Sequence, residues 1–160
     1  MIKGIGVDIV HLPRVFNLID KYATKTKTLQ GIARKVMCFK EQEQFKTLMN
    51  KWDDGPNEQQ RCVRYMSGIW ATKEAAYKGL SSYIPTHEMI PAQTIYTQFL
   101  YKSNNLITGE PRVDIMEQSS QQYQLFQDKY LKGNKIMLSI SHDGDYLVAY
   151  TTIVSSPGNV

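Results

Sequence analysis

The length, composition and charge of the chain set the first limits on its class. It has 160 residues, of which 42% are hydrophobic and 21% charged, and its formal net charge is +4. These values predict one globular domain and exclude a disordered chain or a multidomain protein. No apolar run approaches the roughly 18 residues that a membrane-spanning helix requires, which excludes an integral membrane protein.

The two cysteines, Cys38 and Cys62, do not have the spacing of metal ligands. We expect both to be buried reduced thiols of an intracellular protein, with a disulfide as the less favoured alternative. The chain opens directly into a strand at Ile2, and we expect neither a secretory leader nor a detachable presequence within it. Removal of a targeting segment, or import through internal information, stays open at this stage.

Positive charge is concentrated in the first 40 residues. This segment carries eight Lys and Arg residues against Asp8 and Asp20, a balance of +6, so the remainder of the chain carries −2. Such a patch attracts an acidic partner and speeds the encounter. A solvated face without a partner is one alternative. Nucleic acid is another, although the segment has no recognition motif and little aromatic interleaving.

The first predicted element is an apolar strand over residues 2–10, in which Asp8 is the only acid. A carboxylate in such a strand is costly to bury, so we expect a metal ion or a cation to compensate it. A helix follows from Pro13 to about Tyr22. Beyond it, the sequence predicts a polar loop over 24–28, helical pieces over 32–37 and 40–49, and core positions for Phe39 and Phe45.

A proline-free run from Cys62 to Tyr83 predicts one long helix. At about 3.6 residues per turn, Glu74 and Lys78 share one face of it, one turn beyond Trp70. Taken alone, this pair is best interpreted as a surface salt bridge worth a few tenths of a kcal/mol, roughly. The preceding segment, 52–58, is expected to be an exposed loop whose two aspartates are solvated rather than metal-binding.

The C-terminal half predicts mainly strands. They cover residues 93–102, 112–116, 135–141 and 145–154, with a polar helix over 118–131. Asp143 and Gly144 are a hairpin turn signal. The chain as a whole predicts one α+β domain over residues 1–154, with a mostly antiparallel sheet packed with a long central helix, and a flexible tail over 155–160.

Three short motifs carry a resemblance to a known family. They are Gly-Ile-Gly-Val-Asp-Ile at 4–9, Trp-Ala-Thr-Lys-Glu-Ala-Ala-Tyr-Lys at 70–78 and Ser-Ile-Ser-His at 139–142. In order and spacing they resemble the 4'-phosphopantetheinyl transferases, specifically the short holo-acyl-carrier-protein synthase type. Each motif is weak alone, but together they cover nearly the whole chain.

The resemblance implies a reaction and a set of catalytic residues. The 4'-phosphopantetheine arm of coenzyme A would be moved onto a serine of an apo acyl carrier protein, with release of adenosine 3',5'-bisphosphate. Asp8 and Glu74 would hold Mg²⁺, because carboxylates together with substrate phosphates and waters are its usual ligands. Lys78 would neutralise charge developing on the departing phosphate. The general base stays open between a water on the metal and Glu74 itself.

The resemblance also implies residues that contact coenzyme A. Lys73 and Lys78 would bind phosphate, and Ser141 and His142 would line the nucleotide or phosphate pocket. For His142 the competing interpretation is a structural hydrogen bonder at a strand end. For Lys73 it is a solvated surface cation.

The expected protein partner is an acidic apo acyl carrier protein, and its docking face would be formed by Arg14, Lys21 and Lys25. Short members of the family assemble as trimers with the site between neighbouring subunits, so a homotrimer is implied as well. Two rival classes stay open: a catalytically inert module that binds the carrier, and a small basic nucleic-acid-binding protein.

Some positions depart from the family pattern. Ile69 stands where many relatives have an arginine, Val10 where some branches have an acid, and Glu110 where a lysine is common before the proline. An insertion around residues 52–60 is foreign to the compact bacterial form. It indicates a eukaryotic version, for which a fungal mitochondrial form is expected and a cytoplasmic location is the alternative.

Overall fold

The structure is a computed structural model, and it describes residues 1–156. The helices are α1 Leu12–Tyr22, α2 Thr26–Ala33, α3 Phe39–Met49, α4 Pro56–Ser81, α5 Ala92–Thr94 and α6 Gln121–Phe126. The strands are β1 Ile2–His11, β2 Leu100–Asn104, β3 Pro111–Ile115, β4 Asn134–Asp143 and β5 Tyr146–Ser155. π-helical turns follow α5 at Ile95–Phe99 and α6 at Gln127–Leu131, and short 3-10 turns lie at Trp52–Asp54 and Thr86–Glu88.

The main sheet is antiparallel and has the strand order β1-β5-β4, while β2 and β3 form a separate hairpin. Helix α4 crosses one face of the main sheet, and its buried residues contribute to all three clusters of the core. This confirms the predicted α+β domain with a mostly antiparallel sheet around a long central helix. No helix within residues 1–156 is long and apolar enough to cross a membrane.

Two glycines of β1 let the strand lie directly on the backbone of α4. A Cβ atom built at Gly4 would stand 2.1 Å from the carbonyl oxygen of Gly79, and one built at Gly6 would stand 1.9 Å from that of Ala75. Real Cβ atoms do not approach other atoms so closely, so any larger residue must push the two elements apart. Because Asp8 follows Gly6 on the same face of the strand, this contact also fixes the position of Asp8 against α4.

Gly6→Ala is therefore expected to lower the free energy of unfolding by about 3 kcal/mol, as overpacking against a rigid backbone does. Gly31→Ala is the matched control, because Gly31 lies inside α2 and a Cβ there meets nothing within 4 Å. It should be neutral or stabilising by up to about 1 kcal/mol. Chemical denaturation of the two variants measures both values, and equal stabilities would contradict the close contact of β1 with α4.

Several predicted elements are confirmed. Strand β1 extends one residue beyond its predicted end, at His11, and α1 ends at Tyr22 as expected. The hairpin between β4 and β5 turns at Gly144, whose φ of 51° lies in the left-handed region that favours glycine. Both cysteines are free and buried, as predicted.

Other predictions about local structure are wrong. Residues 93–99, expected to begin a strand, are the end of α5 and its π-helical turn, and only Leu100–Asn104 is extended. The alternation of polar and apolar side chains there does not report a strand, because Ile95, Tyr96 and Phe99 are buried at the spacing of a helical turn. Phe39 is 76% exposed at the start of α3 rather than packed in the core.

In three segments the boundaries of the elements differ from the predicted ones. Helix α2 begins inside the predicted loop over 24–28, and the piece expected over 32–37 is mostly a turn. The predicted exposed loop over 52–58 is a 3-10 turn with a buried Trp52, followed at once by α4. Of the predicted tail, Ser155 still belongs to β5 and the amide of Ser156 donates to the carbonyl of Gly133, while residues 157–160 lie outside the described part of the chain.

Candidate active site

Asp8 lies on the face of β1 that is turned toward α4, and its side chain is 17% exposed. Its Oδ1 accepts a hydrogen bond from Nζ of Lys78 at 2.8 Å, and the same ammonium donates to the carbonyl of Val7 at 3.1 Å. Helix side chains lean toward the N-terminus of their helix, which lets Lys78 reach back one turn to Asp8. The expectation that Asp8 needs a compensating cation is thus met by Lys78.

Glu74 lies one turn before Lys78 on α4 and is half-buried. Asp8 and Glu74 line one cavity of about 220 Å³, whose lining also includes the apolar side chains of Trp70, Val15 and Leu18. Two carboxylates that are 66 positions apart in sequence are thus brought to one site by the contact of β1 with α4.

The donor set of this cavity fits Mg²⁺. Both carboxylates supply hard oxygen ligands, which this ion prefers, and Mg²⁺ usually takes only one or two of them from the protein. Within residues 1–156, no group of three or more His, Cys, Asp and Glu side chains is gathered at one point. Mg²⁺ bound by one or two protein carboxylates usually takes its other ligands from substrate phosphates and water.

Arg14 also lines this cavity, from the first turns of α1. Lys21 lies two turns further along the same face, and Lys25 directly precedes α2. All three side chains are exposed. The predicted docking residues therefore form a basic strip that starts at the cavity and runs away from it.

The assignment of Lys73 to a phosphate is contradicted by the structure. Lys73 is completely buried, and its ammonium donates to a carboxylate oxygen of Glu41, to the carbonyl of Val36 at 3.0 Å and to that of Tyr96 at 2.6 Å. Its three protons are thus used inside the protein. Burial lowers the pKa of Lys73, and the charge of Glu41 opposes that shift.

Ser141 and His142 lie on β4, the far edge of the sheet from Asp8, and both are exposed. In the sheet register, His142 of β4 pairs with Leu147 of β5, and Leu147 pairs with Val10 of β1. His142 is therefore separated from β1 by two strand spacings of about 4.8 Å each. Ser141 points to the opposite face of the sheet, in the row of Ile9. Within one chain, neither residue lines the cavity of Asp8 and Glu74.

Glu41 and Tyr96 take part in the surroundings of the site but were not predicted. Glu41 is completely buried, and its carboxylate accepts from the amides of Cys38 and Lys102, both at 2.8 Å. A Cys-x-x-Glu spacing at the start of α3 resembles a capping box, which was the only local signal for Glu41. Tyr96 is buried beside Glu74, inside the segment that was mistaken for a strand.

Comparison with known proteins agrees with this fold and identifies the family. Residues 4–151 match the family model of the 4'-phosphopantetheinyl transferase superfamily. The match spans most of the chain, from the glycines of β1 into β5, and it includes the three motifs. The chain therefore belongs to this superfamily.

Curated relatives indicate which kind of enzyme within the superfamily the chain is. The chain is 33% identical over 168 residues to the mitochondrial holo-[acyl-carrier-protein] synthase of Saccharomyces cerevisiae, with 96% of the chain and 92% of that protein covered. It is 34% identical over 156 residues to the protein of the same name from Candida glabrata, covering 97% and 96%. Within its superfamily the chain is a holo-[acyl-carrier-protein] synthase, which transfers phosphopantetheine from coenzyme A to an apo acyl carrier protein.

A solved structure shows the same fold. The holo-(acyl-carrier-protein) synthase of Bacillus anthracis, determined in complex with CoA (3',5'-ADP), matches with a TM-score of 0.61 at 22% identity. The match covers 98% of this chain and 97% of that one. At this identity the likeness concerns the arrangement of helices and strands.

Proposed function

We propose that the transfer takes place in the cavity between β1, α1 and α4, and that Asp8 and Glu74 hold Mg²⁺ there. The observation that carries the proposal is the meeting of these two carboxylates in one cavity, next to the ammonium of Lys78. When bound, the ion polarises phosphoryl oxygens of the coenzyme A diphosphate and offsets their negative charge. The protein's own contribution is to position the donor and to stabilise charge in the transition state.

Lys78 is placed to act on the leaving group. Its side chain is 50% exposed and its ammonium stands at the Asp8 carboxylate, so it can turn from that carboxylate toward a substrate phosphate without breaking a buried contact. A cation there stabilises the negative charge that builds on adenosine 3',5'-bisphosphate as the bond to the arm breaks. The serine of the carrier takes the phosphoryl group in the same step.

The test of this function uses an apo acyl carrier protein, coenzyme A and the purified chain, with and without Mg²⁺. Mass spectrometry of the carrier should show the added arm only when Mg²⁺ is present. Co-migration of chain and carrier without modification would contradict the proposed site and favour an inert binding module. Modification of the carrier at full rate in the presence of a chelator would contradict the requirement for a metal ion.

The carrier is proposed to dock on the basic strip of Arg14, Lys21 and Lys25, since acyl carrier proteins are acidic. Replacing Arg14 and Lys21 together by glutamine should lower kcat/KM for the carrier about tenfold or more at low salt, and less at high salt, because salt screens the attraction. Lys46→Gln with Lys51→Gln is the matched control, since both lysines are exposed and the change in net charge is the same. Equal rates for the two double variants would rule out this face.

A homotrimer is proposed from the sheet face that α4 does not cover. This outer face carries exposed apolar side chains from all three strands: Ile5, Val7, Ile9, Met137 and Tyr150, each between 44% and 60% exposed. Contiguous exposed apolar surface of this kind marks an interaction site. Sedimentation at three times the chain mass is the expected result, and a stable monomer would contradict it.

The trimer offers a role for Ser141, which lies on that outer face in the row of Ile9. We propose that Ser141 and His142 of one subunit contact the nucleotide or its phosphate at the cavity of a neighbour. This accounts for two motif residues that are remote from Asp8 within their own chain.

The cellular location is proposed to be mitochondrial. The support comes from three curated relatives at 32–34% identity, each of which is named as a mitochondrial enzyme. The carrier would then be a mitochondrial acyl carrier protein.

A further inference from the structure

Arg14 brings a positive charge to the cavity of Asp8 and Glu74 for which docking of the carrier gives no reason. It lines that cavity from α1, whereas Lys78 reaches Asp8 from one turn beyond Glu74 on α4. The two cations therefore approach the carboxylates from different elements. A docking role explains why Arg14 is exposed, but it does not explain why the residue lines the cavity.

The guanidinium of Arg14 is paired with neither carboxylate. No ion pair within residues 1–156 includes Arg14, so its nitrogens stand beyond the roughly 4 Å of an ion pair from Asp8 and Glu74. A gap therefore separates the cation on α1 from the acids on β1 and α4. Phosphoryl oxygens in this gap would face the guanidinium on one side and the metal-binding acids on the other.

The backbone holds Arg14 at this place. Pro13 lies in the first turn of α1 and fixes the backbone angle just before Arg14. Val15, the next residue, is 7% exposed and belongs to the core, and Leu18 lines the cavity one turn further along. Moving the start of α1 away from the cavity would expose this apolar surface, so the guanidinium stays within reach of a ligand.

The charges of the bound state balance when Arg14 is counted. Mg²⁺ offsets the two carboxylates, and coenzyme A brings a diphosphate in which each phosphoryl group carries a negative charge. Lys78 offsets one of these charges, and a second cation is needed for the other. An uncompensated charge is costly beside apolar groups, and Trp70 and Leu18 are part of the same lining. Arg14 supplies the second cation.

Two features point to the phosphoryl group that is transferred. The cavity of about 220 Å³ is smaller than the roughly 300–1,000 Å³ of sites that hold a whole ligand, so it takes only the reacting part of coenzyme A. The basic strip on which the carrier is proposed to dock begins at Arg14 and leads away from the cavity. The serine of the carrier then arrives on the side of Arg14, while Lys78 acts on the leaving group.

We propose that Arg14 binds the phosphoryl group of coenzyme A that bears the pantetheine arm, and that it holds this group during transfer. The serine oxygen bonds to that phosphorus as the bond from the phosphorus to the bridging oxygen breaks. The bridging oxygen takes the electron pair and leaves on adenosine 3',5'-bisphosphate, and the serine proton passes to the general base. A guanidinium suits this role because it offers two parallel donors to phosphoryl oxygens.

This inference rests on the proposed function, because it takes the cavity as the place of transfer. The test measures binding with no carrier present, so that docking cannot contribute. Calorimetry in the presence of Mg²⁺ gives Kd for coenzyme A and for adenosine 3',5'-bisphosphate, which lacks the transferred phosphoryl group. The chains are the wild type, Arg14→Gln, Arg14→Lys and the matched control Lys46→Gln, which removes the same charge from an exposed lysine of α3.

Arg14→Gln should weaken the binding of coenzyme A about tenfold, because a hydrogen bond between charged groups is lost, and leave the binding of the bisphosphate unchanged. Arg14→Lys should recover part of the affinity, since it keeps the charge without the paired donors. Lys46→Gln should bind both ligands as the wild type does.

Unchanged affinity for coenzyme A in Arg14→Gln would overturn the proposal, including when KM for the carrier rises, since that combination is docking alone. An equal loss of affinity for both ligands would also overturn it, because the contact would then lie on the nucleotide. Failure of the proposed function is seen in the wild-type chain instead. Transfer at full rate in the presence of a chelator would overturn the metal site, and this inference with it.

Discussion

Replacing Glu74 by glutamine is expected to slow transfer of the phosphopantetheine arm at least about a hundredfold. The change keeps the size of the side chain but removes a charged oxygen ligand, and the loss of one electrostatic contact to a transition state costs roughly 10²–10³ in rate. Added Mg²⁺ should restore little of the activity, because the ion has lost one of its two protein ligands. The rate is measured from the mass of the carrier over time.

Glu58→Gln is the control for that variant. Glu58 lies on the same helix, in an exposed pair with Arg61, and is remote in sequence from the cavity. Its replacement should leave the transfer rate unchanged. Full activity of Glu74→Gln would show that Glu74 is not part of the catalytic site. An equal loss of transfer rate in Glu58→Gln would indicate a general effect of helix charge.

The largest expected effect on stability comes from the buried ion pair of Glu41 and Lys73. Lys73→Met is expected to lower the free energy of unfolding by about 3–5 kcal/mol, because it leaves the Glu41 carboxylate buried without its cation. That carboxylate also accepts from the amides of Cys38 and Lys102, so it joins α3, α4 and β2 at one point. Urea denaturation measures the loss.

Two further variants separate the pair from general effects. Arg61→Met breaks an exposed pair of the same charge type and should cost less than about 1 kcal/mol. Glu41→Gln combined with Lys73→Met should cost less than the sum of the single changes, since no buried charge is then left unpaired. Additive losses would show that the two side chains do not interact in the folded chain.

Lys73 is buried whereas Glu74 lines the cavity, and the sequence alone could not predict this difference. The two residues are adjacent, so they point about 100° apart on the helix, and both stand among small apolar residues. Which of them faces the interior is decided by packing against α3 and the π-helical turn, and the Glu41–Lys73 contact spans 32 positions. The local pattern contained no sign of that contact, so nothing opposed the phosphate-binding role that the resemblance implied for Lys73.

Elements defined by local chemistry were predicted well. Strand β1, helix α1 and the turn at Gly144 were each predicted from residues within the element itself, and the structure has all three. The strand predicted over residues 93–99 was wrong because a π-helical turn has no sequence pattern of its own. The core position predicted for Phe39 was wrong because hydrophobicity alone does not distinguish a core side chain from one exposed at the first turn of a helix.

Asp8 stood out by its position in an apolar strand. Glu74 was selected through the resemblance, because its helical face alone favoured a surface salt bridge. The structure places both residues at one cavity, and their role as metal ligands stays a prediction. Tyr96 carried no signal, because its backbone was assigned to the wrong element. Ser141 and His142 stay predictions that depend on a neighbouring subunit.

The most direct test of the account is to locate the metal in crystals of the chain grown with coenzyme A and Mn²⁺. Anomalous scattering should show one manganese ion in the cavity between β1 and α4, within about 2.2 Å of a carboxylate oxygen of both Asp8 and Glu74. An ion that touches only one of these residues, or one that lies outside the cavity, would contradict the proposed mechanism.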